Sequence, residues 1–383
     1  MSRPAARRLV LSAGEPSGDL LAAHLATHLK RLDPNLQLAG ITGPAMRAAG
    51  VQTWFDVGEL SVMGLAEIVA QLPRILNLRR RFRQRSLDWA PAAFIGIDAP
   101  EFNLPLARQL KARGLTTLQY VSPSIWAWRP GRVAGIARSV DHLLALFPFE
   151  KACYADTDLP VSVVGHPLAD QLSACAFSPA HQAEARQQLE LPDAHTIVAL
   201  LPGSRNSELK RHLPVLEAVA RQHRTDSGGK PIHYLVLWAD AGAPTHALAE
   251  LDHVTAVAGQ TQRGLQAADG ALCASGTVTL EAFLLGCPQV VFYRLAASTH
   301  WLARTLSLLN TPHVSLPNIL TASPLVPELI QDQATPAALI EALEVWLSQP
   351  QQVEAYRQQA SHWQQQLHAG DRAAQALLAC VQS

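Results

Sequence analysis

Thr196-Ile-Val-Ala-Leu-Leu201-Pro-Gly-Ser-Arg205-Asn-Ser-Glu-Leu209 decides how this chain is read. Its first six residues form a short apolar run with the length and composition of a buried strand. Pro202 and Gly203 turn the chain, and a helical pattern opens near Ser207. A strand, a tight loop and a helix in that order make a ligand-binding junction of a parallel α/β sheet. The helix start exposes unpaired N–H groups and carries partial positive charge. Gly203 lets a ligand approach the Gly203–Ser204 backbone, and Arg205 adds a forked cation suited to phosphate. The same residues also read as a turn whose arginine pairs with a nearby carboxylate.

Working outward, the rhythm repeats. Leu9–Ala13 reads as a strand and Asp19–Leu32 as a helix with Leu21, Leu25, Leu29 and Leu32 on one side. Further strands are expected at Ala93–Ile97, Thr117–Val121, His142–Leu146 and Val161–Val164. The stretch Cys175–Asp193 is polar and breaks the pattern. A second alternation then begins at Thr196, with strands at Tyr234–Leu237, Ala271–Cys273 and Gln289–Tyr293. The fold class is therefore α/β, with two parallel-sheet domains. The boundary falls near 168–195, giving 1–175, 176–340 and a helical 341–383 rich in Gln and Ala. Trp346 and Trp363 mark that last segment as one that docks on something.

Composition narrows the function classes. The 383 residues are 48% hydrophobic and 16% charged, which disfavours intrinsic disorder. Lys plus Arg and Asp plus Glu both number 31, so a strongly basic nucleic-acid binder is disfavoured. Cys153, Cys175, Cys273, Cys287 and Cys380 form no CxxC pair, and neither a disulfide framework nor a structural zinc is expected. The apolar run after the basic start is too short for a secretory signal, and no stretch approaches the length of a spanning helix.

Other motifs add chemistry. In Ala274-Ser-Gly-Thr-Val-Thr-Leu-Glu281, Ser275 and Thr277 can cap a helix, and Gly276 gives access. Glu281 lies one turn beyond Thr277 on the same face, where a carboxylate can accept both hydroxyls of a ribose. The loop Gly14-Glu15-Pro-Ser17-Gly-Asp19 also joins a strand to a helix, but lacks GxGxxG and GK[ST]. There Ser17 or Asp19 can simply cap the helix. Asp98 sits where a strand should end, as a general base or as a cap. His166 lies at another strand end, as a cleft residue or a turn residue. His24 and His28 are spaced i, i+4 but have no evident third ligand, and a solvent face is expected for them; no metal is called for. Val62, Met63, Ile68, Val69 and Leu72 belong to an amphipathic stretch that runs into Arg79, Arg80 and Arg81. It reads either as a membrane-surface contact or as a crossover helix with a solvated basic turn.

Taken in order, these motifs resemble one family. Gly14–Asp19, Ser61-Val-Met-Gly64, Gly96-Ile-Asp-Ala-Pro100, Tyr120-Val-Ser-Pro-Ser-Ile-Trp-Ala-Trp-Arg129, Phe147-Pro-Phe-Glu150 and Gly165-His166 come first. Leu201–Arg205, Ala274–Thr277 with Glu281, and Ser315-Leu-Pro-Asn318 follow. The set is similar to the lipid-A-disaccharide synthases from about residue 8 onward. Pro16 stands where some members have Ala. The resemblance implies a GT-B architecture, two Rossmann-like domains facing a cleft. It implies an inverting transfer from UDP-2,3-diacylglucosamine to 2,3-diacylglucosamine 1-phosphate (lipid X), giving a β-1′,6 disaccharide 1-phosphate and UDP, with no cofactor. It implies attachment to the cytoplasmic face of the inner membrane, and a homodimer exchanging C-terminal segments. Asp98 is the expected base, with Glu15 the second candidate. Gly203, Ser204, Arg205, Ser275, Gly276, Thr277, Glu281 and Asn318 are expected on the donor, and Gly14, Ser17 and His166 on the acceptor. A nucleotide-sugar epimerase and a non-catalytic lipid or nucleotide-sugar binder are the alternatives.

Overall fold

The computed structural model describes residues 7–60, 65–126, 130–239, 247–295 and 313–382. The chain divides into two units, one of Met1–Pro167 with Leu367–Ser383 and one of Leu168–Gln366. The segment read from sequence as one piece, 341–383, is therefore split. Its first part packs in the second unit, and only its last seventeen residues join the first.

The first unit holds a seven-stranded parallel sheet in the order β3-β2-β1-β4-β5-β6-β7. Its strands are β1 Arg8–Ala13, β2 Gln37–Thr42, β3 Gln52–Asp56, β4 Ala93–Ile97, β5 Thr116–Tyr120, β6 His142–Ala145 and β7 Val161–Val163. Its helices are α1 Pro16–Leu32, α2 Pro44–Ala48, α3 Leu65–Trp89, α4 Pro100–Lys111, α5 Val133–Ser139 and α6 Pro148–Ala152. The central β4 is buried along its whole length, which is why it reads as an unbroken apolar run. Helices α3, α4 and α5 pack side by side, while α1 packs against α2 and the C-terminal helix Arg372–Gln382. Phe82 of α3 sits in the core with its ring edge-on to Trp54, Phe55 and Phe94.

The second unit holds a six-stranded parallel sheet in the order β10-β9-β8-β11-β12-β13. Here β8 is Thr196–Leu201, β9 Ile232–Trp238, β10 Val254–Ala258, β11 Gly270–Ala274, β12 Gln289–Tyr293 and β13 Glu328–Ile330. Helices α7 Pro167–Leu172 and α8 Pro179–Gln188 precede these strands, and α9 Asn206–Gln222, α10 Thr261–Ala267 and α11 Val278–Leu284 run between them. Helices Pro336–Ser348 and Pro350–Gln366 close the unit, with Trp346 donating its indole N–H to the Gln289 carbonyl at 3.1 Å.

Candidate active site

In the first unit, the carboxyl ends of the parallel strands line one edge of the sheet, the edge where open α/β sheets bind ligands. Asp98 follows β4, and both Asp98 (φ 51°) and Ala99 (φ 41°) take left-handed backbone. That conformation is uncommon for residues other than glycine and concentrates at functional sites. Burial raises the proton affinity of Asp98, the negative charge of Glu15 raises it further, and the Ala99 N–H partly offsets both. Gly14 brings the two loops together, since a Cβ there would lie 2.1 Å from the Ala99 Cβ. Glu15 and Ser17 are exposed at the start of α1. Asp19 does not cap its own helix. Its carboxylate is buried and accepts from Gly43 N (2.8 Å), Ala45 N (2.8 Å) and Met46 N (3.1 Å), so it caps α2 instead. His166 follows β7, half-buried, its ring 5.7 Å from that of Phe147. Its backbone N–H donates to the Leu367 carbonyl at 2.8 Å, which ties the returning C-terminal segment to the sheet edge.

In the second unit, Gly203 has left-handed backbone (φ 103°), and a Cβ there would come within 2.6 Å of Glu208 Oε2. The donors of this loop are already engaged: Ser204 N and Arg205 N both donate to Glu208 Oε2 at 3.2 Å. Tyr293 Oη donates to Glu208 Oε1 at 2.9 Å. Burial alone would push the Glu208 carboxyl up. The bonds from Tyr293, Arg205 and Ser204 and the Arg205 charge outweigh it and hold the group below its ordinary value. Arg205 keeps its guanidinium exposed, 3.4 Å from Glu208. Buried His212 locks the same loop to the end of β12. Its Nδ1 lies 2.7 Å from the Pro202 carbonyl, and its Nε2 accepts from Arg294 N at 3.1 Å. Those two partners require a neutral ring protonated on Nδ1, and burial does push its pKa down.

The second junction is more open. Space around Gly276 is empty: a Cβ there would meet nothing within 4 Å. Thr277 is exposed at the start of α11. Glu281, one turn on, has no side-chain partner among the described residues, and burial raises its proton affinity. Ser275 departs from expectation. Its Oγ donates to the Val314 carbonyl (2.9 Å) and its N–H to the Phe292 carbonyl (3.1 Å), so both donors are spent on the fold. Asn318 departs too. Its buried amide donates to the Val326 carbonyl and to Glu328 Oε1, both at 2.9 Å, and accepts from Val326 N at 2.8 Å. It staples a loop, and its polar atoms are turned inward. Glu208, His212 and Glu328 escaped the sequence reading. The one available signal was the spacing Arg205-x-x-Glu208, that of a capping box.

Of the surface stretch, Val62 and Met63 lie outside the described residues, as do the side chains of Ile68 and Val69 on α3. Leu72 is 49% and Leu76 43% exposed. The arginines are not one free cluster. Arg81 lies over the Phe55 ring at 5.1 Å and Arg85 over Trp54 at 4.9 Å. Arg79 is half-buried, which pushes its pKa down, and Arg80 is exposed. His28 does not face solvent freely either: its Nδ1 meets Asp371 Oδ1 at 2.7 Å. Among the described residues, no three His, Cys, Asp or Glu side chains gather as a metal site. No described helix is long and apolar enough to cross a membrane.

Two parallel-sheet α/β domains with strand–loop–helix junctions at their strand ends make up the GT-B architecture. The structure is similar over 99% of this chain to Anabaena HepE in complex with UDP and glucose, covering all of that chain (TM-score 0.56, 14% identity). A putative UDP-N-acetylglucosamine 2-epimerase from Listeria monocytogenes is similar over 99% of this chain and 96% of its own (TM-score 0.63, 11% identity). At such identities the likeness speaks for the fold alone. The family described as Lipid-A-disaccharide synthetase matches residues 9–381. The lipid-A-disaccharide synthase of Xanthomonas campestris pv. campestris (strain 8004) is 43% identical over 98% of this chain and 86% of its own length. That of Chromohalobacter salexigens is 43% identical over 97% of this chain and 96% of its own. The chain belongs to the lipid-A-disaccharide synthase family, and it is an enzyme of the glycosyltransferase class.

Proposed function

We propose that this enzyme transfers 2,3-diacylglucosamine from UDP-2,3-diacylglucosamine to the 6-hydroxyl of 2,3-diacylglucosamine 1-phosphate. The observation that carries the reading is Asp98, a half-buried carboxylate of raised proton affinity held in left-handed backbone at a strand end. Ionised, it takes the proton from the acceptor 6-hydroxyl. The oxygen attacks the donor C1 from the face opposite UDP, the C1–O bond to UDP breaks, and UDP leaves with the electron pair. An α-linked donor thereby gives the β-1′,6 disaccharide 1-phosphate. Glu15, exposed beside Asp98, is the second candidate for the base. The developing charge on UDP is met by the exposed guanidinium of Arg205 and the open Gly276–Thr277 helix start. Glu281, with no side-chain partner among the described residues, takes the ribose hydroxyls. Ser204, Ser275 and Asn318 support these groups through the backbone.

Both substrates carry acyl chains, and α3 with its exposed Leu72 and Leu76 is the element we assign to the inner surface of the cytoplasmic membrane. A homodimer exchanging C-terminal segments remains part of the proposal.

UDP release from UDP-2,3-diacylglucosamine in detergent micelles, with and without the acceptor, tests the reading. Acceptor-dependent UDP together with a disaccharide phosphate is expected, and UDP formed equally without acceptor would refute it. Asp98→Asn should lower kcat by about 10²–10⁴-fold while leaving the thermal unfolding midpoint nearly unchanged. Near-normal turnover would remove Asp98 as the base.

A further inference from the structure

The left-handed backbone at Asp98 needs something to hold it, and the structure shows what does. The carbonyl of Asp98 is gripped by two side-chain amides, Asn103 Nδ2 at 2.9 Å and Gln119 Nε2 at 3.0 Å. Asn103 Nδ2 also lies within bonding distance of the Ser12 carbonyl (3.1 Å) and the Ile97 carbonyl (3.2 Å). Gln119 Nε2 reaches the Tyr120 and Val121 carbonyls, both at 3.4 Å. Between them the two amides span the carboxyl ends of β1, β4 and β5. Val121, at the end of β5, is itself left-handed (φ 77°), a marked outlier for a β-branched residue.

Both side chains are wholly buried. Their own oxygens, Asn103 Oδ1 and Gln119 Oε1, have no hydrogen-bond partner among the described atoms. Leaving a buried acceptor unmatched is costly, so each amide is kept for what its NH₂ group donates to. Gly96 makes the arrangement possible. A Cβ there would come within 2.7 Å of Gln119 Oε1 and 2.8 Å of the Asn103 Cβ. The glycine two residues before Asp98 thus admits the amides beneath the strand. Asn103 is also close enough in sequence to couple the first turn of α4 to the residue it holds.

We infer that Asn103 and Gln119 are the positioning residues of the transfer reaction: together they clamp the Asp98–Ala99 peptide in its left-handed conformation and so aim the Asp98 carboxylate at the acceptor hydroxyl. This rests on the reading of Asp98 as the base. Neither amide touches substrate; each acts through the backbone of Asp98. Released from the clamp, the peptide relaxes toward ordinary backbone, and the carboxylate swings toward water and away from Glu15, the charged group that faces it. A base misplaced by an ångström loses about 10²-fold in rate.

The test compares Gln119→Met, which keeps the side-chain length and removes the donors, Asn103→Ala, and Asp98→Asn. The readouts are circular dichroism and thermal unfolding, KM for each substrate, and kcat as a function of pH. In the folded Gln119→Met and Asn103→Ala variants, kcat should fall by about 10²-fold with both KM values nearly unchanged. The acid limb of the kcat profile should move to lower pH, because the freed carboxylate loses its burial and its like-charged neighbour. A folded Gln119→Met enzyme with unchanged kcat, or with reduced kcat and an unmoved acid limb, overturns the inference. Should Asn103→Ala fail to fold, Gln119→Met alone decides. Full turnover by Asp98→Asn instead refutes the base assignment, and the positioning role falls with it. An inactive Asp98→Asn beside unaffected amide variants refutes only the positioning role.

Discussion

Three carboxylates show how burial and partners set proton affinity residue by residue. Glu208 gains two backbone N–H bonds, a tyrosine hydroxyl and an arginine, and stays ionised. Asp98 is pushed up, first by burial and then by the like charge of Glu15. Glu150 is the extreme case. It is buried at the start of α6, accepts from Phe147 N at 2.9 Å, and is raised from 4.5 to about 7, chiefly by burial. Between those two pH values the folded chain holds a proton that the unfolded chain has lost, so stability falls as pH rises through that window. The full effect is about 3 kcal/mol at pH 8. Gln in its place can still accept from Phe147 N and has no charge to bury. Glu150→Gln should therefore unfold at a higher temperature than the parent at pH 8 and at nearly the same temperature at pH 4. An equal offset at both pH values in thermal unfolding would show that burial of the charge is not what costs stability. Such properties were beyond reach of the sequence, because they depend on what surrounds a side chain. Asp98 and Glu281 could be singled out from their places at strand and helix ends. The engagement of Ser275 and Asn318 could not, since Val314, Val326 and Glu328 reach them only through the fold.

At the scale of elements, legibility followed burial except at β2, which passed unread although five of its six residues are buried. Strands β4, β8 and β12 are read at their observed bounds, Ala93–Ile97, Thr196–Leu201 and Gln289–Tyr293, because a central parallel strand is apolar on both faces. Strands β2, β3, β10 and β13 passed unread. β3 and β10 lie at sheet edges and mix polar with apolar residues, and β13 has only three residues. α1 starts at Pro16, three residues before the expected Asp19, with proline in the first turn where its missing N–H costs nothing. The helix α3 was legible as amphipathic, but the fate of its arginines was not, since Phe55 and Trp54 come from a strand that was not foreseen. Its outward face now has definite members. Leu72, Leu76 and Arg80 fall four residues apart and are exposed, while Leu78 and Phe82 are buried. An apolar stripe ending in a cation suits an anionic bilayer surface. Leu72→Ser with Leu76→Ser should reduce sedimentation with vesicles containing anionic lipid several-fold, at unchanged thermal stability, because neither residue contributes to the core. Undiminished vesicle binding by that double variant would return α3 to the role of a crossover helix alone.

For the whole molecule, the notable fact is that the chain leaves the first unit at Pro167 and re-enters it at Leu367. The first unit is thus closed by its two ends. Gly165, left-handed at φ 82°, leaves room for the return, since a Cβ there would lie 2.5 Å from the Leu367 carbonyl. Beyond it, Asp371 binds both His28 and Arg31 of α1, with His28 at 2.7 Å. The Arg31 and His28 hydrogen bonds hold the Asp371 carboxyl down at about 2. A depressed carboxylate contributes its stabilisation above the ordinary carboxylate value and loses it only as pH falls through the folded value. The clasp should therefore hold across the neutral range and weaken only in strong acid. Salt should weaken it too, since Asp371 and Arg31 lie at the surface. Cutting this contact should free the last helix without unfolding the sheet it covers. Asp371→Ala is expected to raise hydrogen exchange of backbone amides in 367–382 at pH 7, with exchange in β1 and β4 unchanged. Parent protein at high salt should move part of the way toward the variant. If exchange in 367–382 is the same in both proteins, the packing of Ala373, Ala374 and Leu377, all buried, holds the segment by itself and the clasp is ornamental.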